Sequence, residues 1–337
     1  MPASTSAHQL AVEWKAKGDR LYAAPGTTIR EDGKTFTCLG AYVEALRHDP
    51  EYGAAWGRVA KCTRYADKVL VNDKLWTMKD SAVQALTFDP TNADGWHALG
   101  SFTGGNSTVV FHGVEYTSKD CYFKAVKCDP KHSSVWAGFG YAAHDCENEE
   151  VIVDGEAYST IAAYRKCVLL DPNVFSAWLN LSCVLRGALV EIDGKKLTEN
   201  DCLRRALECK RHPFESWTTA EAWNRLYHSL PENGTVLING TEYTELDTAI
   251  EQVEHDPFSG YTWDAVAYCL HTDLAKTVLI NDKPYTCRDC CIQALQQTCS
   301  YRNPWHRLAI TMNASETVVV NGDTYDKAAC RRMAEEP

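Results

Sequence analysis

Three cysteines near residue 290 are spaced like metal ligands. Cys287, Cys290 and Cys291 form a C-x-x-C-C cluster, and thiolates at this spacing could supply half of a zinc site. A complete site needs a second C-x-x-C or an H-x3-H pair, and the sequence has none at a suitable distance. The alternative is that the thiols pack in a core, where a free cysteine behaves as a small apolar side chain. The spacing favours this second interpretation.

The other residues that could do chemistry do not form a recognisable site. The eleven histidines have no regular spacing. His48, His212 and His255 fall near the predicted ends of helices, where a cation or a donor suits the last carbonyl groups. The acidic run C-E-N-E-E at 146–150 is typical of a solvated loop. Calcium-binding loops, phosphate-binding glycine motifs and G-x-S-x-G are absent. The sequence therefore predicts no catalytic residue, metal or cofactor.

Charge and composition exclude several classes of partner. The 337 residues carry a formal net charge of -11 with a sequence pI of about 5.5, so a nucleic acid or an anionic membrane surface is disfavoured. No apolar run approaches the roughly 20 residues that cross a bilayer, and the first residues lack the features of a secretory signal. With fifteen cysteines and no such signal, we expect a reducing compartment, the cytoplasm.

Tryptophan marks an internal repeat of 40 to 45 residues, which must position all of these side chains. Eight of the ten tryptophans keep this spacing, at Trp14, Trp56, Trp96, Trp136, Trp178, Trp223, Trp263 and Trp305. A proline stands six residues before five of them, after an aspartate. The residue four positions after each tryptophan is small, except at Tyr227. The fixed spacing predicts a repeated structural unit rather than an ordinary domain.

Each unit contains two amphipathic helices separated by a β-hairpin. The tryptophan segment has apolar or small residues at i, i+3, i+4 and i+7, which predicts a helix, and Asp-Pro ends the second helix. Between them lies a turn dipeptide that favours positive φ at both residues, typical of a type I′ turn. The eight dipeptides are Asp32-Gly33, Asn72-Asp73, His112-Gly113, Asp154-Gly155, Asp193-Gly194, Asn239-Gly240, Asn281-Asp282 and Asn321-Gly322.

The turn fixes which side chains share a face of each hairpin. In T-V-L-I-N-G-T-E-Y-T at 235–244, Val236 pairs with Tyr243, and every other hairpin has an equivalent pair. The residue after the aromatic is Thr or Ser in seven units, followed in five by Asp three residues later, which predicts a helix N-cap. Because a lone hairpin is marginally stable, we expect this face to pack on helices or on neighbouring hairpins.

The shared register resembles the tetratricopeptide repeat. That family's signature appears here as Trp96, Leu99, Gly100, Tyr122, Ala125, Pro130 and Trp136. Tyr42, Ala45 and Pro50 fit as well, and residues 13–22 resemble a first repeat. The resemblance covers nearly the whole chain and implies a mainly α fold: a right-handed α-solenoid of helix–hairpin–helix repeats, with eight hairpins along one edge. It also implies a role in binding other proteins.

The units depart from the family in length, because its period is 34 residues and the extra residues fall at the hairpin. An insertion precedes Trp223, and Thr298-Cys299 replaces Asp-Pro. The last unit is short, so either a short helix caps the array or the sequence is part of a longer chain. We expect one domain, 1–337, with repeats at 8–50, 51–90, 91–130, 131–172, 173–211, 218–257, 258–299 and 300–337.

The family's best-known ligand mode clamps a C-terminal carboxylate with Lys and Asn, one and five residues after tryptophan. No unit has this pair; Asp264 and Tyr268, for example, occupy the two positions in the seventh. Chaperone tails are therefore not expected as partners. The expected function is a non-enzymatic scaffold that binds other proteins through the inner helix face, the hairpins or both. Candidate contact residues are Lys61, Arg64, His97 and Tyr141 on helices and Leu70, Leu75, Leu237 and Leu279 on hairpins.

Two other functions stay open at this point. A structural component of a large cytoskeletal or flagellar assembly would also use a long repeat array. An enzyme subunit resembling the α subunit of protein prenyltransferases would stack helical pairs in the same way, and Trp223-Asn-Arg and Trp305-His-Arg resemble a motif of that family. Most units lack this arginine, so the scaffold is favoured on motif grounds.

Overall fold

The computed structural model describes residues 6–24, 26–63, 66–104, 107–143, 151–153, 155–209, 216–231, 234–297 and 302–335. Within these ranges the chain is mainly helical, and sixteen helices alternate with eight two-stranded hairpins. Contacts divide the chain into two compact units, Met1–Lys196 and Leu197–Pro337, and each unit is described by itself. The expected helix–hairpin–helix order is confirmed, while a single domain over 1–337 stays a prediction.

The first unit contains nine helices among the described residues, with hairpins between them. The elements are α1 (Ala7–Tyr22), β1 (Ile29–Glu31), β2 (Lys34–Phe36), α2 (Cys38–His48), α3 (Gly53–Cys62), β3 (Lys68–Val71), β4 (Lys74–Thr77), α4 (Met78–Phe88), α5 (Ala93–Thr103), β5 (Thr108–Phe111), β6 (Val114–Thr117), α6 (Ser118–Cys128), α7 (Ser133–Ala143), β7 (Val151–Val153), β8 (Glu156–Tyr158), α8 (Thr160–Leu170), α9 (Phe175–Leu185), β9 (Val190–Ile192) and β10 (Lys195–Leu197), which reaches the boundary.

The second unit repeats the same order. Its elements are α10 (Glu199–Glu208), α11 (Ser216–Ser229), β11 (Thr235–Ile238), β12 (Thr241–Thr244), α12 (Glu245–His255), α13 (Gly260–Leu270), β13 (Thr277–Ile280), β14 (Lys283–Thr286), α14 (Cys287–Gln297), α15 (Arg302–Ile310), β15 (Thr317–Val320), β16 (Asp323–Asp326) and α16 (Lys327–Glu335). The insertion before Trp223, the loop at 146–150 and Thr298-Cys299 contain residues outside the described ranges.

The hairpin turns have the backbone that the sequence predicts. Asn239 and Gly240 have φ values of 50° and 82°, and Asn281 and Asp282 have 47° and 63°. Both central residues therefore occupy the left-handed region that a type I′ turn requires. The predicted cross-strand pairs are confirmed at Ile29/Phe36, Val69/Trp76, Val109/Tyr116, Val151/Tyr158, Val236/Tyr243, Val278/Tyr285 and Val318/Tyr325.

The residue after each hairpin caps the following helix. The Thr244 side chain accepts a hydrogen bond from the Asp247 amide, and the Asp247 carboxylate accepts one from the Thr244 amide at 2.9 Å. The same reciprocal bonds join Thr286 and Asp289. They satisfy amide groups that the first turn of a helix leaves without partners. The predicted capping box is therefore confirmed, with aspartate in place of the usual glutamate.

The repeated tryptophans join the hairpin to the first helix and explain the proline spacing. The indole Nε1 of Trp56 donates to the carbonyl oxygen of Pro50 at 2.7 Å, and Trp96, Trp136, Trp178 and Trp263 make the same bond to the proline six residues earlier. The rings of Trp56, Trp96, Trp136 and Trp263 also contact a hairpin aromatic; the Trp56 and Trp76 centroids are 4.7 Å apart. The indole thus connects the segment that precedes the first helix, the helix itself and the hairpin.

Several hairpins also contact the second helix of the preceding repeat. The Asn72 side chain donates to the carbonyl oxygen of Leu46 at 3.0 Å, and Asn321 donates to that of Leu295 at 3.3 Å. The hairpins do not pair with each other, because each of the eight forms its own two-stranded sheet. Exposed and buried residues alternate along β3, β13 and β15, so one face of each strand packs against the protein and the other is exposed.

In three repeats the small residue four positions after the tryptophan accommodates a tyrosine of the second helix. A Cβ atom on Gly140 would lie 2.8 Å from Cε1 of Tyr164, which is closer than real Cβ contacts allow. Gly18 and Gly100 stand against Tyr42 and Tyr122 in the same way. The sixth repeat reverses the sizes, because Tyr227 on the first helix shares a core cluster with Ala249 on the second helix. The exception at Tyr227 thus preserves the volume of the pair.

Candidate interaction surfaces

The predicted basic site on the helices of the first unit is an internal ion network. The Lys61 ammonium lies 3.3 Å from Asp94 Oδ1, 2.9 Å from His132 Nε2 and 3.1 Å from Ser134 Oγ, and its side chain is only 9% exposed. An ammonium group has three N–H donors, so these partners occupy all of them. Burial lowers the pKa of Lys61 although Asp94 opposes the change.

The acids of this network, Asp19 and Asp94, are paired with bases from more than one helix. Arg58 Nε lies 3.0 Å from Asp19 Oδ1 and its Nη1 lies 3.3 Å from Asp94 Oδ2, while the Tyr42 hydroxyl donates to Asp19 at 2.9 Å. Burial alone would raise the pKa of Asp94, but Lys61 and Arg58 hold it below its ordinary value. These ion pairs connect α1, α3 and α5 within the first unit.

The other predicted helix residues have different surroundings. His97 packs edge-on against Tyr122, with ring centroids 5.3 Å apart. Burial first, and the charge of Lys61 second, lower the pKa of His97 to about 3, so the ring is neutral near pH 7. Tyr141 is exposed. Arg64 lies outside the described residues. A partner-binding role for these four residues stays a prediction.

The four predicted hairpin residues are all exposed. Leu70, Leu75, Leu237 and Leu279 expose between 55% and 65% of their surface, whereas Val69 and Val278, their neighbours on the packing face, are buried. We call the face that carries the exposed residues the outer hairpin face. Val110, Ile152 and Val319 extend it to two further hairpins of the first unit and one of the second.

The second unit contains a groove that sequence reasoning did not assign as a site. It has a volume of about 480 Å³ and is lined by residues of α11, α12, α13 and α15, among them Tyr227, Tyr261, Tyr268, Glu245 and Asp264. Tyr261 and Tyr268 are 62% and 47% exposed. Asp264 and Tyr268 are the residues one and five positions after Trp263, so the available signal was the register of the repeat.

One ion pair lies within this groove. Arg307 on α15 pairs through Nη1 with Oδ1 of Asp264 on α13, and its guanidinium carbon lies 5.2 Å from the centre of the Tyr268 ring. Burial raises the pKa of Asp264, although Arg307 acts in the opposite direction. Arg307 belongs to the Trp-His-Arg sequence that resembles the prenyltransferase motif, and here it joins two first helices.

The cysteine cluster lies in the core of the second unit. Cys287, Cys290 and Cys291 are buried on α14, and the Cys287 thiol donates to the carbonyl oxygen of Ala267 at 3.4 Å. Among the residues that the structure describes, no group of three or more His, Cys, Asp or Glu side chains has an arrangement that could hold a metal ion. All described cysteines are free thiols.

No helix within the described ranges is both long and apolar enough to span a membrane. A scan against models of known protein families finds no match to this chain, and a search among curated proteins finds none either.

Proposed function

We propose that this chain is a non-enzymatic scaffold for protein–protein interactions, built from tetratricopeptide-like repeats that stack into a right-handed solenoid. The observation that carries the proposal is the outer hairpin face. Six hairpins, β3–β4, β5–β6, β7–β8, β11–β12, β13–β14 and β15–β16, each present at least one apolar side chain that is more than half exposed. An exposed apolar position that recurs in register is typical of a binding surface.

Folding of the hairpin does not require these apolar residues. At the equivalent positions the first hairpin has Arg30 and Thr35, which pair with each other, and the fifth has Glu191 and Lys196 on β9 and β10. Strand pairing and the turn are the same with polar side chains. The leucines of the other hairpins therefore gain stabilisation only when another molecule covers them.

Further features agree with a scaffold that binds proteins inside the cell. The formal charge of -11 opposes contact with nucleic acid or anionic lipid. The free thiols of the described residues suit a reducing compartment such as the cytoplasm. The partners that fit are other proteins, bound at the outer hairpin face and at the helix face that carries Tyr261 and Tyr268.

Site-specific photocrosslinking tests this proposal. A photoreactive amino acid at Leu237 or Leu279 should crosslink to the same protein in cells of the source organism. The matched control is Gln296, which is exposed on the surface of α14 and should give no such product. Equal products from all three positions, or none at Leu237 and Leu279 at full expression, would contradict the proposal. Mass spectrometry then identifies the partner and its contact residue.

A further inference from the structure

The groove of the second unit carries an excess of negative charge. Among its lining residues are two carboxylates, Asp264 and Glu245, and one arginine, Arg307. The charge of Arg307 is compensated by its ion pair with Asp264. With histidine counted as neutral, Glu245 is left without a compensating cation in the lining. A ligand group that enters here meets one net negative charge.

Aromatic rings give the same groove a second preference for cations. Tyr261 and Tyr268 are exposed, and the face of a tyrosine ring attracts a cation within about 6 Å. Arg307 already shows such a contact, because its guanidinium lies 5.2 Å from the Tyr268 centroid while it pairs with Asp264. The groove therefore holds one guanidinium group between a ring and a carboxylate, supplied by the chain itself.

The Asp264 carboxylate can interact with more positive charge than Arg307 supplies. The ion pair uses Oδ1 of Asp264, and a carboxylate has acceptor sites on both oxygens. Burial raises the pKa of Asp264 even with Arg307 beside it, which means that desolvation outweighs the single ion pair. A second cation would favour the ionised carboxylate, and the same interaction would stabilise the bound ligand.

We propose that this groove binds an arginine side chain from an extended segment of a partner protein, between the rings of Tyr261 and Tyr268 and the carboxylates of Asp264 and Glu245. The proposal rests on the scaffold function and specifies its partner. Arginine fits better than lysine, because its planar guanidinium stacks on a ring and bonds to a carboxylate through two N–H groups. The acidic chain as a whole would also speed the approach of a basic segment.

The charges at these positions are opposite to those of a carboxylate clamp. A lysine and an asparagine one and five residues after the tryptophan would bind an anion. Here the two positions hold Asp264 and Tyr268, an acid and an aromatic ring, and Arg307, which also lines the groove, is already paired. The groove of this unit therefore selects a positively charged side chain in place of a terminal carboxylate.

Titration of the full chain with four capped heptapeptides tests the inference. Each probe has the form acetyl-Gly-Ser-Gly-X-Gly-Ser-Gly-amide, where X is arginine, lysine, glutamine or glutamate. Fluorine NMR of protein labelled with 3-fluorotyrosine reports binding locally, and Tyr261→Phe and Tyr268→Phe variants assign the two resonances. We expect saturable shifts of both resonances with the arginine peptide, at least about tenfold tighter than with glutamine, weakening as salt is raised.

Variants distinguish charge recognition from a loss of structure. Asp264→Asn should weaken the arginine peptide about tenfold or more, whereas Asp323→Asn, the same charge change on the exposed strand β16, should leave its affinity unchanged. If Asp264→Asn does not fold, Tyr261→Leu replaces it; this variant should lose about two- to fivefold in affinity, and Tyr261→Phe should keep it.

Three results would overturn the inference. Equal affinity for the glutamine and arginine peptides would mean that the groove does not recognise the positive charge of the arginine side chain. Tighter binding of the glutamate peptide would mean that Arg307 acts as an anion receptor. If Asp264→Asn and Asp323→Asn weaken the binding of the arginine peptide equally, the peptide responds to the overall negative charge of the protein and not to the groove. Photocrosslinking through Leu237 and Leu279 would still support the scaffold in each case, so the two proposals fail separately.

Discussion

Replacing Gly138 by alanine places a methyl group against the buried ring of Tyr122. The new Cβ atom would lie 2.2 Å from Cε1 and 2.6 Å from Cδ1 of that ring. The ring cannot move away, because Gly100 on α5 approaches its other edge, with a Cβ there only 3.0 Å from Cδ2. Tyr122 thus fills the space between two first helices, and both must carry glycine where they meet it.

The expected loss of stability combines two opposing effects. Overpacking of this severity costs about 3 kcal/mol, while alanine in the interior of α7 gains about 1 kcal/mol of helix propensity over glycine. We therefore expect Gly138→Ala to lower the free energy of unfolding by about 2 kcal/mol. In a Tyr122→Ala background the clash is absent, and the same substitution should raise the free energy of unfolding by about 1 kcal/mol. The coupling energy is then about 3 kcal/mol.

Urea denaturation followed by far-ultraviolet circular dichroism measures this cycle. Gly40→Ala on α2 is the matched control, because a Cβ there makes only ordinary contacts of 3.5 Å or more and alanine should not destabilise the helix. The sign reversal at Gly138 is the decisive result. If alanine destabilises equally with and without the Tyr122 ring, the ring is not what requires glycine at position 138, and this explanation of the contact between α6 and α7 is refuted.

Three further predictions concern the neutral histidine, the turns and the caps. Burial lowers the pKa of His97 to about 3 from 6.5, so only the unfolded chain gains this proton as the pH falls below 6.5. Urea denaturation at pH 7 and pH 5 should therefore show that the free energy of unfolding falls by up to about 1 kcal/mol per pH unit, and His97→Gln should remove this loss. Parallel pH profiles of the two proteins would contradict this. Asp282→Gly should stabilise the fold by about 0.5 kcal/mol, because aspartate is strained at a φ of 63°. Gly240→Asp should lower the melting temperature, whereas Asp282→Gly should raise it. Shifts of the same sign would exclude turn strain as the cause. Thr244→Ala removes an N-cap and should cost about 1 kcal/mol in urea denaturation, while an unchanged midpoint would show that the cap contributes nothing.

Local chemistry made the hairpins predictable from the sequence. A type I′ turn is fixed by two residues such as Asn239 and Gly240, and its register then follows by counting outward. The caps are equally local, since Thr244 and Asp247 lie within one helical turn. The exposure of Leu237 followed from the same alternation, because Leu237 lies on the face opposite to the Val236–Tyr243 pair.

Features that join distant residues could not be predicted in this way. Lys61 was expected on an accessible inner face, but Asp94 and His132, from later repeats, enclose it. The groove residues Tyr268 and Arg307 belong to different helices, and their contact depends on how α13 and α15 are rotated about their axes. The repeat spacing indicates which residues are equivalent; it does not specify these rotations.

The affinity of the crosslinked partner for hairpin variants tests the scaffold function most directly. Leu237→Lys combined with Leu279→Lys changes only the outer hairpin face and should leave the circular dichroism spectrum and the melting temperature unchanged. Isothermal titration calorimetry should show a loss of affinity of about a hundredfold or more, since two apolar contacts of about 1.5 kcal/mol each are removed. A Gln296→Lys control should bind like the parent. Unchanged affinity of the double variant for a partner that crosslinks at these positions would contradict the account.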